Sequence, residues 1–150
     1  MENGLTILDS IRESFPTKEL DIKAYSPLVL AFIGDSVYEL IIRTIEVEWM
    51  NCPVNALHKK KVKYVKAEAQ AKMIDGIMEM LSEEEKSVYR RGKNAKTNTA
   101  SKGGTLAEYH RATGFEALIG YLYLKNDTNR LMEVVKASLD VLRGDKALWD

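Results

Sequence analysis

Three groups of side chains in this sequence could do chemistry. Asp35 stands in Leu30-Ala31-Phe32-Ile33-Gly34-Asp35-Ser36-Val37-Tyr38-Glu39, a lone acid in an apolar run. A carboxylate buried there without a partner would be destabilising or would keep its proton, so an arginine, a set of donors or a metal ion must compensate it. Glu39 lies four residues on and shares the helical face, which makes a carboxylate pair one turn apart. The second group is Glu116, another single acid in an apolar segment, Thr113-Gly114-Phe115-Glu116-Ala117-Leu118-Ile119-Gly120. Two apolar helices with one inward carboxylate each could bring Asp35 and Glu116 together across a bundle, although 81 residues separate them. Two carboxylates with no other anchoring group suit Mg²⁺, which binds through one or two such groups and takes further oxygens from water and substrate phosphates. Such an ion lowers the pKa of a bound water and stabilises charge on a leaving oxygen. The third group is basic: Arg90, Arg91, Lys93, Asn94, Lys96, Thr97 and Lys102 lie in a stretch with five basic residues and no acidic ones. That chemistry suits the phosphate oxygens of a nucleic-acid backbone. Each group has a plainer alternative. The acids could sit in a buried ion pair or on a face that emerges into water, and the basic stretch could be a solvated loop. Composition alone does not separate these alternatives.

The elements that must position these groups are helical almost throughout. The chain has three prolines and no run that alternates as a strand would. Leu5 to Phe15 reads as a short first helix. Ser26-Pro27 is a strong start signal, with serine as cap and proline at the first helical position. The helix it opens runs over 27–48, and its apolar N-terminal half should be buried. Val54 to Leu81 reads as one broken helix or two consecutive ones, with Lys59, Lys60, Lys61, Lys63 and Lys66 on a solvent face. Ser82-Glu83-Glu84-Glu85 and Thr105-Leu106-Ala107-Glu108 are capping boxes, predicting helices to about Arg91 and about Leu124, the second with a kink near Thr113-Gly114. The glycines and polar residues of 92–104 predict a loop between them. A last amphipathic helix spans about 127–143 and stops at Gly144. The expected architecture is an all-α bundle forming a single domain over residues 1–150, with its core at about 25–143.

The net charge is zero, but its distribution is uneven. Residues 1–50 carry 4 basic and 9 acidic side chains, whereas residues 51–110 carry 12 basic and 7 acidic ones. An acidic segment beside a basic one suits a protein that holds cations in one place and a polyanion in another. Pro27 to Gly34, the longest uncharged apolar stretch, is too short to span a bilayer. The opening residues form no secretory leader, and the single Cys52 makes neither an internal disulfide nor a cysteine zinc cluster. These features predict a cytoplasmic protein with no membrane partner. His58 and His110 are isolated, and there is no HExxH spacing and no phosphate-binding glycine loop of the nucleotide type.

Taken together, these motifs resemble the ribonuclease III family. Leu30 to Val37 is similar to that family's signature helix, and Phe115-Glu116-Ala117-Leu118-Ile119-Gly120 to its second acidic motif. The nearer resemblance is to the short bacterial branch, the Mini-ribonuclease III group, which lacks a separate double-stranded-RNA-binding domain. It rests on Leu57-His58-Lys59-Lys60, Val65-Lys66-Ala67-Glu68-Ala69-Gln70-Ala71, Arg91-Gly92-Lys93-Asn94-Ala95-Lys96 and Tyr109-His110-Arg111-Ala112-Thr113-Gly114, and covers about residues 25 to 125. It implies a homodimeric endoribonuclease that hydrolyses duplex RNA with Mg²⁺, leaves 5′-phosphate and 3′-hydroxyl ends, and matures the ends of the 23S ribosomal RNA precursor. A ribosomal protein that remodels the RNA is compatible with that role. By the same resemblance Asp35 and Glu116 are the catalytic and metal-binding acids, Phe32 packs across the dimer interface, and the basic stretch grips the duplex. Full-length members carry a glutamate where this chain has Ala31 and an aspartate where it has Thr113. Four acids are thereby reduced to two, and Glu39 and Glu108 are the acids that could compensate. The loss keeps open a rival reading, a non-catalytic double-stranded-RNA-binding protein on the same fold.

Overall fold

The computed structural model describes residues 5–96 and 104–144. Among the described residues there are seven α-helices and no strand: α1 (Ile7–Ser14), α2 (Pro27–Trp49), α3 (Val54–Val65), α4 (Ala67–Ile77), α5 (Glu83–Lys93), α6 (Leu106–Leu124) and α7 (Thr128–Arg143). Short 3-10 turns at Ile22–Ala24 and Met78–Met80 complete the helical content. The all-α expectation is borne out.

Helix starts follow the local chemistry of the sequence. The Ser26 hydroxyl accepts from the Val29 amide at 3.2 Å, with Pro27 in the first turn where its missing N–H is harmless. Ser82 with Glu85, and Thr105 with Glu108, form reciprocal capping boxes in which each carboxylate accepts from the cap residue's own amide. The Val54 to Leu81 stretch resolves into two helices, because Lys66 adopts an extended conformation between them. α6 runs from Leu106 to Leu124 as one helix through Thr113 and Gly114.

Two expectations are corrected. Lys93 is not in the loop expected from residue 92 on: it joins Arg90 and Arg91, which the sequence already places at the end of the helix, in the last turn of α5, where cations suit the negative end of the helix dipole. Gly92 is the reason. It is buried, and a Cβ on it would meet the Ala117 Cβ at 2.8 Å and the Gly114 Cα at 3.0 Å, so this glycine serves a close helix contact rather than a turn. The apolar half of α2 is also not buried all round. Leu30, Ala31, Gly34, Val37 and Tyr38 face the core, while Leu28, Val29 and Leu40 are exposed and Phe32 is 80% exposed.

The core is built on the pairing of α2 with α6. Gly34 and Gly120 set it: a Cβ on Gly34 would run into the carbonyl of Glu116, and one on Gly120 into the carbonyl of Leu30. The two backbones therefore touch, which glycine alone permits. α4 and α5 pack on the remaining sides of α6, and α7 covers α4. Phe115, Leu118, Ile119 and Leu122 of α6 are fully buried against Leu30, Tyr38 and Ile42 of α2. Arg130 of α7 ties the far end by a two-pronged bond to buried Glu85, both contacts at 2.8 Å, with a further 2.8 Å bond to the Met80 carbonyl. No helix among the described residues is long and apolar enough to cross a membrane.

Candidate active site

Asp35 follows Gly34 on α2, and Glu116 carries the very carbonyl that Gly34 approaches on α6. The glycine contact thus brings the two acids face to face. Their carboxyl groups share a hydrogen bond. The exposures differ from expectation: Asp35 is exposed and Glu116 is half-buried. Burial pushes the Glu116 carboxyl up to about 9, Asp35's charge and hydrogen bond add to the rise, and a hydrogen bond from Gln70 opposes it.

The wall behind Glu116 is apolar and rigid. Tyr38 meets Phe115 edge to face with ring centroids 5.2 Å apart, and its hydroxyl donates to the Tyr64 carbonyl at 2.6 Å. On the open side Asp35, Ser36, Glu39, Leu40 and Arg43 line a cleft of about 290 Å³. Glu39 does share the face of Asp35, but it is held by Arg43 and by Lys61 at 3.4 Å, so the basic side chains that reach the cleft are neutralised there. Lys61 is correspondingly sequestered, with its side chain 13% exposed, rather than solvated as its neighbours are. Glu108 is not brought to the pair. It closes the capping box of α6, about 12 Å along the axis from Glu116 at 1.5 Å per residue.

The chemistry of this donor set fits a hard divalent cation. Two carboxyls face each other across α2 and α6, and burial together with Asp35's charge disfavours a second negative charge on Glu116, which a bound cation would relieve. No cluster of three or more histidine, cysteine or carboxylate side chains suited to a metal occurs among the described residues. Two positions near the pair are packed and carry no acid. Ala31 is buried, and Thr113 is buried with its hydroxyl donating to the Tyr109 carbonyl at 3.0 Å.

The basic residues flank this site. Gly92 rests against Thr113, Gly114 and Ala117, so the cationic last turn of α5 lies beside the turn of α6 that carries Glu116. Arg90, Arg91, Lys93, Asn94 and Lys96 are exposed there. Thr97 and Lys102 lie outside the described residues. Spacing alone does not single out Gln70. Its only signal in the sequence is one amide in the apolar part of Ala67–Ile77, where it proves fully buried beside Glu116.

Comparison with known proteins gives the family. Residues 28–127 match the family model described as the ribonuclease III domain. The chain is 55% identical to the Mini-ribonuclease 3 of Thermoanaerobacter over 126 residues, covering 84% of this chain and 88% of the relative. It is 49% identical to that of Clostridium tetani, covering 81% of each. A crystal structure of a Fusobacterium nucleatum protein, 33% identical, superposes with a TM-score of 0.72 over 80% of this chain and 96% of that one.

Proposed function

The chain belongs to the ribonuclease III family and is an endoribonuclease, and we propose that it cuts double-stranded RNA at a Mg²⁺ centre held by Asp35 and Glu116. The observation that carries this reading is the carboxyl pair itself, joined across α2 and α6 by backbone contact and short of one positive charge. A cation bound there would supply a water of lowered pKa and stabilise charge on the leaving oxygen. Asp35 is the accessible ligand at the mouth of the cleft. Glu116 would be the deeper ligand. Glu39, locked to Arg43 and Lys61, orders the cleft wall next to Asp35. The products would be 5′-phosphate and 3′-hydroxyl ends.

Duplex RNA would be held by the exposed cations at the end of α5, Arg90, Arg91, Lys93 and Lys96, with Asn94, and by Thr97 and Lys102 beyond the described part. A homodimer doubles that surface and places two centres on one duplex. Phe32 and its exposed neighbours Leu28 and Val29 form the apolar patch for such a pairing, and a cavity of about 520 Å³ opens one turn further along α2, walled by Ile33, Val37 and Leu40. The natural substrate on this reading is the 23S ribosomal RNA precursor in the cytoplasm, with a ribosomal protein able to present the duplex.

The deciding experiment is cleavage of a long RNA duplex by wild type and by Asp35→Asn, with Mg²⁺ and with chelator. Cutting by wild type with Mg²⁺ alone is the expected result. Salt-sensitive duplex binding by both proteins with no cutting by either, on precursor ribosomal RNA as well, would favour the non-catalytic reading that the buried Ala31 and Thr113 keep open.

A further inference from the structure

Gln70 is an unusual occupant of its position. It sits on the face of α4 that packs on α6, between buried Ala69 and Ala71 and one turn from buried Met73 and Ile74, and only 2% of it is exposed. An apolar residue of the same length would fill this space without the penalty of burying an amide. With α4 packed on α6, the buried amide comes beside the Glu116 carboxyl and favours its ionised form, while Asp35 approaches that carboxyl from α2. The two neighbours ask opposite things of Glu116. Asp35 repels its charge, while an amide N–H favours the ionised form and fixes the plane of the carboxylate.

We infer that Gln70 is a positioning residue for the metal centre: its side-chain amide donates to Glu116 and holds that carboxylate turned toward Asp35, so that a divalent cation meets two oxygens already arranged. This rests on the reading of Asp35 and Glu116 as that centre. The donor takes one lone pair of Glu116 from the protein side and leaves the rest for Asp35's side, as groups behind first ligands do in other metal sites. Gln70 does not touch RNA on this account.

The test uses the full chain with Gln70→Met, which keeps length and removes the donor, and Gln70→Glu, which keeps shape and adds charge. Mn²⁺ binding without RNA is read by the loss of the free-ion electron paramagnetic resonance signal, and duplex cleavage is followed across a Mg²⁺ titration. Gln70→Met is expected to bind Mn²⁺ roughly 10-fold more weakly and to need about 10-fold more Mg²⁺ for half-maximal cleavage, within the range of losses seen when such supporting groups are removed. Its cleavage rate at saturating Mg²⁺ should recover most of the wild-type value. Unchanged Mn²⁺ affinity in a folded Gln70→Met would overturn the inference while leaving the centre intact. Wild type that binds Mn²⁺ no better than Glu116→Gln would overturn the centre and this inference together. Should Gln70→Met fail to fold, Gln70→Glu decides: a larger Mg²⁺-induced rise in its unfolding midpoint than in wild type supports contact with Glu116, and an equal rise refutes it.

Discussion

Glu116 holds its proton to about pH 9 in the absence of a cation, because burial and Asp35 both disfavour its charge. The unfolded chain releases the same proton near pH 4.5. Between these values the folded state binds more protons than the unfolded one, so stability contributed by the neutral carboxyl is complete below about 4.5 and falls as pH rises toward 9. In chelator, Glu116→Gln should remove this fall and be more stable than wild type at pH 9 by roughly several kcal/mol, read by thermal unfolding. A Glu116→Gln protein no more stable than wild type at pH 9 would mean that the carboxyl is not strained. Asp35→Asn should fold and dimerise but not cut, since it preserves shape and removes a ligand charge, and a variant that fails to fold would make Asp35 structural. These two acids were legible in the sequence because a lone carboxylate in an apolar helix demands an explanation. Their exposures were not, because an apolar neighbourhood along the chain does not say which face the side chain leaves by. Gln70 was harder still: a neutral amide in a helix carries no charge penalty to mark it.

The helices can be read from their caps, and the capping boxes at Ser82 and Thr105 appear where the sequence places them. What the sequence does not show is which glycines end helices and which let them touch. Gly144, with φ 58°, ends α7, whereas Gly92 is inside α5 against α6. Gly34→Ala is therefore expected to destabilise by about 3 kcal/mol or more, as overpacking against rigid backbone does, and to lower cleavage beyond the loss of folded protein. A Gly34→Ala protein with wild-type unfolding and cleavage would refute the backbone contact. At the far end of the bundle, Arg130 holds the Glu85 carboxyl below its usual range, through the side-chain hydrogen bond first. Here the sign is opposite to Glu116: the stability is present above about 4.5 and is lost as pH falls through the lower folded value. Arg130→Met should cost about 2–4 kcal/mol at pH 7, discounted for partial exposure of the arginine, and less at pH 3, measured by denaturant unfolding at both values.

Across the whole molecule, the segregation of charge seen along the sequence becomes spatial only in part. The cationic end of α5 lies beside the carboxyl pair, but Lys61 turns inward to Glu39 and is withdrawn from any polyanion. Neutralising Arg91 and Lys96 should thus weaken duplex binding and flatten its dependence on salt by about two ions, with little effect on the rate of cutting once RNA is bound. Unchanged affinity in a filter-binding titration would remove this surface from the interface. The exposed stripe of α2 was invisible to hydropathy, because an apolar stripe that faces outward and one that faces the core look alike in composition. The contact between Gly34 and the Glu116 carbonyl has one more consequence. The spacing of the two acids is gauged by main chain against main chain, not by the packed side chains around them. A gauge made of backbone does not rescale when Leu118, Ile119 or Leu122 is exchanged for another apolar residue. Sequence drift, or laboratory selection for heat resistance, can therefore rework most of the interior while the calibration of the cut is inherited unchanged.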